Sequence, residues 1–366
     1  MKSSDAKRYI EIVPAKGRGA LTNRESRFHA DGREIDLAYL EAIRDDVPEA
    51  AIQTETSFVQ ARSIISRNNS PDIGFDRSIN PFLGCEHGCI YCYARPSHAY
   101  LGLSPGLDFE TRLTAKTNAA ALLRKELSSR TYEPRLIALG ANTDPYQPIE
   151  KDARITRSVL QVLDEFNHPV AITTKSALVV RDIDILAPMA AKGLVRVAMS
   201  VSTTDSQIAR LMEPRANSPA RRLQAIEKLS GAGVPTSVIV APIVPALTDA
   251  QMENVIGLAA GAGADSAHYV LLRLPLEVRD LFVEWLEIHF PMRAKHVMSL
   301  VNQMRGGKDD ESAFGSRMKG TGLFAELISK RFELACSRHH LNRVRAPLTT
   351  SLFAPPREHS SQTSLF

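Results

Sequence analysis

Residues 78–92 read SINPFLGCEHGCIYC, a short apolar run that leads straight into a loop carrying Cys85, Cys89 and Cys92. Five further runs of the same kind follow: LIALGA (136–141), PVAITT (169–174), VRVAMSVS (195–202), TSVIVAPI (236–243) and HYVLLRL (268–274). Each is apolar on both faces, the pattern of a strand buried within a parallel sheet. Helix-period segments separate them. Ile155, Val159, Leu163 and Phe166 share one face and Leu223, Ile226 and Leu229 another, with Gly231 and Gly233 as a stop before the next strand.

Strands alternating with helices indicate a parallel sheet covered by helices. The polar residues favour a barrel over an open sheet. Cys85, Thr143, Asp144, Lys175, Ser200, Ser202 and Arg273 all fall at or just after the C-terminal end of a predicted strand. In a βα barrel these ends form one rim, where sites are built. The expected fold is therefore α/β, a partial βα (TIM-like) barrel of about six parallel strands over residues 76–275. Residues 1–75, rich in charge, Gly, Ser and Asn, read as an N-terminal extension with a short helix around 37–43. Residues 276–345 read as a helical, basic C-terminal segment, with helices over 276–288, 293–305 and 323–339 and a Gly-rich break between the last two. Residues 346–366, rich in Pro and Ser, read as a flexible tail.

Composition narrows the class. The chain has 366 residues, 44% of them hydrophobic, with 45 basic against 41 acidic side chains and four cysteines. Four cysteines in this length do not make a secreted disulfide scaffold. The first residues are charged throughout, without the apolar core of a signal peptide. The most apolar stretch, VIVAPIVPAL, is cut by Pro242 and Pro245, so no membrane span is expected. The expectation is a cytoplasmic protein in a reducing compartment.

The cysteines divide as three and one. C-x3-C-x2-C on a loop relaxed by Gly84 and Gly88 points three thiolates at one metal centre. A structural zinc site wants four closed ligands; no fourth cysteine is near, and His87 lies inside the loop, badly placed to close it. Three cysteines instead leave one iron of a [4Fe-4S] cluster open for chemistry. Inert buried cysteines are the remaining reading. Cys336 shares a helix face with Phe324, Ile328 and Phe332, which marks a core residue.

GCEHGCIYCYA after a first barrel strand resembles the radical S-adenosylmethionine superfamily. TDPYQPIE (143–150), TTK ending at Lys175, MSVST around Ser200, MEPRANSP (212–219) and VIVAPI (238–243) resemble its branch containing spore photoproduct lyase and the proteins called DNA repair photolyases. The resemblance spans about residues 78–274. It implies a [4Fe-4S] cluster on Cys85, Cys89 and Cys92, with S-adenosylmethionine chelating the open iron. Reductive cleavage of the sulfonium would then yield methionine and a 5′-deoxyadenosyl radical that abstracts hydrogen from a substrate. It further places Thr143 and Asp144 beside the methionine amino group, Lys175 and Ser200 at its carboxylate, and the backbone at Tyr91 and Ala241 around the adenine. Each of these also has a plainer reading as a rim residue making local hydrogen bonds; Asp144 can open a turn with Pro145, and Glu213 can pair with Arg215. Where spore photoproduct lyase carries a hydrogen-returning cysteine past the second strand, this chain has Ala141, so the same repair reaction is not expected unless Tyr91 or Tyr93 supplies the hydrogen.

Partners are suggested by charge and by the terminus. Residues 290–345 hold eleven Lys or Arg against five acids, a balance of +6 within a chain of net +4. That suits nucleic acid, whose phosphates release counterions to bound cations. The last residues, QTSLF, resemble the peptide by which bacterial replication and repair proteins dock on the sliding clamp, through Gln362, Leu365 and Phe366. Radical chemistry also implies an electron donor. Modification of RNA or a peptide by the same radical, and a non-catalytic zinc-binding clamp adaptor, are the competing readings.

Overall fold

In the computed structural model, which describes residues 15–24, 27–28, 52–310, 313–343 and 346–356, ten strands form two sheets. In chain order they are β1 (Glu55–Val59), β2 (Ile65–Arg67), β3 (Arg77–Ile79), β4 (Phe82–Leu83), β5 (Arg112–Lys116), β6 (Ile137–Leu139), β7 (Val170–Thr174), β8 (Val195–Ser200), β9 (Thr236–Ile243) and β10 (Ser266–Leu271). The larger sheet runs β10-β9-β8-β7-β6-β3-β2, with every pair from β3 to β10 parallel and β2 antiparallel to β3. Six parallel strands thus lie side by side in the order in which the chain makes them, as in a barrel. The wall does not close, because β10 and β3 do not pair. It is the expected partial barrel.

Helices seal its outer face. Ile155–Glu165 buries Ile155, Val159, Leu160 and Leu163, Pro219–Gly231 buries Ala225, Ile226 and Leu229, and Met252–Gly261 buries Met252, Val255, Ile256 and Ala259. These pack against Val170, Val195, Val197, Met199, Val238 and Val240 in one core. Local sequence sets the ends of the middle helix. The Ser218 side chain accepts a hydrogen bond from the Arg221 N–H ahead of Pro219, and Gly233, at φ +78°, lets the Val234 N–H return to the Leu229 carbonyl.

The run 78–84 behaves differently from the expectation. It splits between sheets: β3 lies in the barrel wall, whereas β4 joins a second sheet, β1-β5-β4. Pro81 has no N–H for the ladder, and its carbonyl instead accepts from Lys116 N. The extension is also more than a wrap, since residues 55–67 supply β1 and β2. The helix expected around 37–43 lies outside the described residues.

The C-terminal helices form as expected, over Glu277–His289, Pro291–Met304 and Gly322–Arg338. Cys336 is buried among Ala325, Ile328 and Phe332, and burial pushes its thiol up to about 11. The tail, read as flexible over 346–366, docks through residue 354. Phe353 packs against Phe166, Tyr132 and His168, while Thr349 N donates to Gly193 O and Ala354 N to Phe166 O. An aromatic side chain gains more from that contact than from water, which overrides the polar composition around it. Residues 357–366, with the clamp-like QTSLF, lie outside the described residues. No helix among the described residues is long and apolar enough to cross a membrane.

Candidate active site

The cysteine loop follows β4 at the C-terminal mouth of the barrel. Gly84 and Gly88 take φ of +75° and +68°, where a side chain is strained; a Cβ at Gly84 would also sit 2.8 Å from Leu113 and 3.0 Å from the Phe109 carbonyl. The backbone is held at each step. Cys85 N donates to Phe109 O, Gly88 N to Cys85 O, Ile90 N to Met212 O and Cys92 N to Cys89 O. Gln147, fully buried, brackets the entrance: its Oε1 accepts from Glu86 N at 2.8 Å and its Nε2 donates to Gly84 O at 3.1 Å.

A buried arginine supports the loop from beneath. Arg95 Nε donates to Cys89 O (2.9 Å), Nη2 to Gly88 O (3.2 Å) and Nη1 to the carbonyls of Pro105 and Gly106 (3.1 and 2.9 Å), and the guanidinium pairs with buried Glu110. Glu110 in turn accepts from the backbone of Gly19 and Ala20 at 2.9 and 2.8 Å, which ties residues 18–20 to the loop. These donors fill the carbonyls around the cysteines, and the three thiols form no disulfide.

The thiols suit a cluster. Burial pushes Cys85 well up, with Asp144 and the neighbouring sulfurs adding; burial carries Cys89 to about 12 and raises Cys92. Such sulfurs stay protonated until a cation offsets the desolvation cost. Among the described residues no three His, Cys, Asp or Glu side chains converge tightly enough to hold a single ion. Three thiols on one loop are the ligand set of a [4Fe-4S] cluster with one iron left open.

Four of the rim positions singled out in the sequence form one line of contacts. Lys175, just after β7, donates from Nζ to Ser200 Oγ at the end of β8 (2.9 Å), and Ser200 Oγ donates to Ala241 O on β9 (3.2 Å). The same ammonium lies 5.8 Å from the Tyr91 ring centroid. Its charge also reaches Cys89 and Cys92. Thr143 and Asp144 turn toward the scaffold. Thr143 Oγ1 donates to Phe82 O (2.9 Å), while Asp144 accepts from Tyr146 N, Thr174 Oγ1 and Lys175 N (2.9, 2.7 and 2.7 Å). The Tyr146 bond is the turn with Pro145 foreseen in the sequence. His87 Nδ1 stands 3.3 Å from Asp144 Oδ2, within ion-pair range yet outside hydrogen-bond geometry. Burial works against the Asp144 charge, but His87 and the bonds from Lys175 N and Thr174 outweigh it and hold the carboxyl at about 2.

Glu213 and Arg215 do not pair with each other. Glu213 pairs with Arg222, while Arg215 Nη2 lies 2.7 Å from Glu86 Oε1. Glu213 also accepts from the Tyr91 hydroxyl and from Ser202 Oγ (3.1 Å). The second tyrosine, Tyr93, is 52% exposed and donates its hydroxyl to the Ala141 carbonyl. Arg95, Glu110, Gln147 and Arg222 carry no sequence signal of their role, because a buried arginine and a solvated one read alike until the fold surrounds them.

Residues 79–259 match the family model described as the Radical SAM superfamily, and the chain carries a domain of that superfamily. The domain implies a [4Fe-4S] cluster and S-adenosylmethionine as cofactors. Uncharacterized proteins of Mycobacterium bovis and Mycobacterium tuberculosis are each 37% identical over 220 residues, 60% of this chain and 65% of theirs, so the match spans just under two thirds of those relatives. An uncharacterized protein of Methanocaldococcus jannaschii is 28% identical over 234 residues, 64% of this chain and 83% of its own. Among solved structures, a spore photoproduct lyase variant superposes with a TM-score of 0.56 at 17% identity, covering 87% of this chain and 86% of its own. Spore photoproduct lyase complexed with dinucleoside spore photoproduct gives 0.55 at 18%, covering 78% and 79%. At these identities the likeness is one of fold.

Proposed function

We propose that this protein is a radical S-adenosylmethionine enzyme that acts on nucleic acid by a reaction other than that of spore photoproduct lyase. Cys85, Cys89 and Cys92 would hold the cluster, and Tyr91, Lys175, Ser200 and Ala241 the cofactor. The observation that carries this reading is the placement of three thiols, Cys85 and Cys89 buried and Cys92 half-buried, on the loop beside the Lys175–Ser200–Ala241 line.

When bound, the cluster and S-adenosylmethionine supply a carbon radical able to abstract hydrogen. The chain's own groups do the positioning. Lys175 offers an ammonium to the methionine carboxylate, with Ser200 a hydroxyl beside it. Asp144 fixes the backbone at Lys175 through its N–H, and Thr143 pins the loop to Phe82. Tyr91 donates its hydroxyl to buried Glu213 and Tyr93 to the Ala141 carbonyl; the half-exposed Tyr93 would be the phenol to return hydrogen, becoming a tyrosyl radical as it does so.

Nucleic acid as substrate rests on the basic segment. Arg305, Arg317 and Arg331 are engaged internally with carbonyls, Asp72 and Glu253, which removes them from the patch. Arg293, Lys295, Lys308, Lys319, Lys330 and Arg338 are exposed and remain for phosphates. Clamp docking by Gln362, Leu365 and Phe366, a separate electron donor and a cytoplasmic location complete the proposal. Anaerobic reconstitution tests it: about four irons per chain and release of 5′-deoxyadenosine under reduction are expected. Zinc without iron would overturn the enzyme. Radical-dependent change in an RNA or a peptide, with DNA untouched, would replace the substrate, and clamp binding that survives removal of the last five residues would remove the docking motif.

A further inference from the structure

Arg273 stands just past β10, at the open edge of the partial barrel. Among the described residues, the one hydrogen-bond partner of its guanidinium is the Met318 sulfur at 4.0 Å, and its buried Nε has no partner. Arg95 and Arg222 differ sharply. Arg95 donates to four carbonyls and pairs with Glu110; Arg222 donates to Asn217 O (2.6 Å) and Ser200 O (3.0 Å) and pairs with Glu213. A guanidinium presents five donors in a rigid fork, and leaving them unmatched in a partly buried place is costly unless a ligand completes them.

What surrounds Arg273 points to the ligand. Its charge acts on Tyr93, the phenol at the mouth, and the charges that act on it are Asp310 first, then Arg317 on the segment 313–320 and, more weakly, Asp72. That segment bridges the barrel opening. On one side Leu271 N donates to Met318 O (3.0 Å); on the other, Gly315 N donates to Asp72 Oδ1 (2.7 Å) and Arg317 pairs with Asp72 in the turn between β2 and β3. Phe314, on the same segment, is 60% exposed, with the Arg317 guanidinium 4.6 Å from its ring centroid. An unmatched fork for an oxyanion and, on the segment hydrogen-bonded to the strand it follows, an exposed, cation-flanked ring are the two elements a single nucleic-acid strand uses: phosphate on the arginine, base on the ring.

We propose that Arg273 anchors a phosphodiester of a single-stranded nucleic acid at the barrel mouth, with Phe314 as the stacking platform for the adjoining base. This rests on the function proposed above and names the residues that would select its substrate. A base on Phe314 has left its duplex, so unpaired strands bind in preference to duplex.

The test is fluorescence anisotropy of the full chain with labelled single-stranded 10-mers of DNA and RNA and the matching duplexes, over a range of salt. Arg273→Met should weaken single-strand binding by about ten-fold and lower the slope of log affinity against log salt by about one. Phe314→Leu, at an exposed ring that folding does not need, should weaken it about ten-fold with the slope unchanged. Lys228→Met, on the outer helix, should do neither. Wild-type affinity in both Arg273→Met and Phe314→Leu, equal binding of a methylphosphonate strand, or no binding by the wild type would overturn the proposal. The near-ultraviolet circular dichroism of the Arg273→Met preparation should match the wild type, so that weaker binding does not report a lost fold. Loss of iron from the wild type would instead refute the enzyme reading and leave the strand-binding result standing.

Discussion

Glu213 and Arg222 form an ion pair with side chains 0% and 1% exposed, and Arg222 also holds the Ser200 carbonyl at 3.0 Å. The pair therefore lies directly under two of the groups assigned to the cofactor, Tyr91 and Ser200. A buried pair is weak evidence for stability, but removing one partner strands the other charge. Glu213→Gln should cost about 3–5 kcal/mol in urea denaturation and abolish S-adenosylmethionine binding in the reconstituted protein. Glu213→Gln with Arg222→Met should regain much of the stability and none of the binding. A single mutant as stable as the wild type would show that the pair does not hold this floor.

Gly19 meets the cysteine loop edge on, and a Cβ there would stand 1.8 Å from Gly88 O. No rotamer relieves that clash, since the obstacle is backbone. Gly19→Ala should expel residues 18–20 from Glu110, cost about 1–3 kcal/mol and expose the buried Arg18 to trypsin. Unchanged trypsin resistance would contradict the contact.

Cys89→Ala should eliminate both the iron and cofactor cleavage, whereas Cys336→Ala should keep both and lose only about 1 kcal/mol from the helix core. Iron content by colorimetry and 5′-deoxyadenosine by chromatography decide it. A cluster retained in Cys89→Ala would refute the ligand assignment.

His168 links acid stability to tail docking. Its ring is buried, with Nε2 2.8 Å from the Tyr132 hydroxyl, Nδ1 3.0 Å from Pro169 O and an edge against Phe353. Burial drops its pKa from 6.5 to about 4. The folded protein therefore binds this proton less readily than the unfolded chain. Stability from this group is complete above pH 6.5 and declines as the pH falls toward 4, by up to about 3 kcal/mol. The urea midpoint should fall between pH 7 and 5, and His168→Gln should flatten that fall. A midpoint equally pH-dependent in the mutant would place the loss elsewhere.

Much of the architecture was legible because it rests on local patterns. Doubly apolar runs became parallel strands, and the C-x3-C-x2-C spacing on two glycines marked the loop at the mouth. The three C-terminal helices and the core position of Cys336 followed from residue pattern and spacing alone. The split of residues 78–84 between two sheets did not, because β4 exists only through pairing with β5, which lies some thirty residues on. Asp144 was ambiguous for a related reason: its partners Thr174 and Lys175 come from the next strand.

By itself, then, the sequence determined the repeating strand and helix units, the polar rim and the trio of thiols, since these depend on residue type and spacing. Tertiary structure alone decided which charges are spent and which are free. Arg95, Arg222 and Arg317 are consumed by Glu110, Glu213 and Asp72, while Arg273 has, among the described residues, only the Met318 sulfur as a hydrogen-bond partner. The physical reason is that a guanidinium's role depends on the acceptors within about 3 Å of it, and those acceptors arrive from segments far apart in the chain.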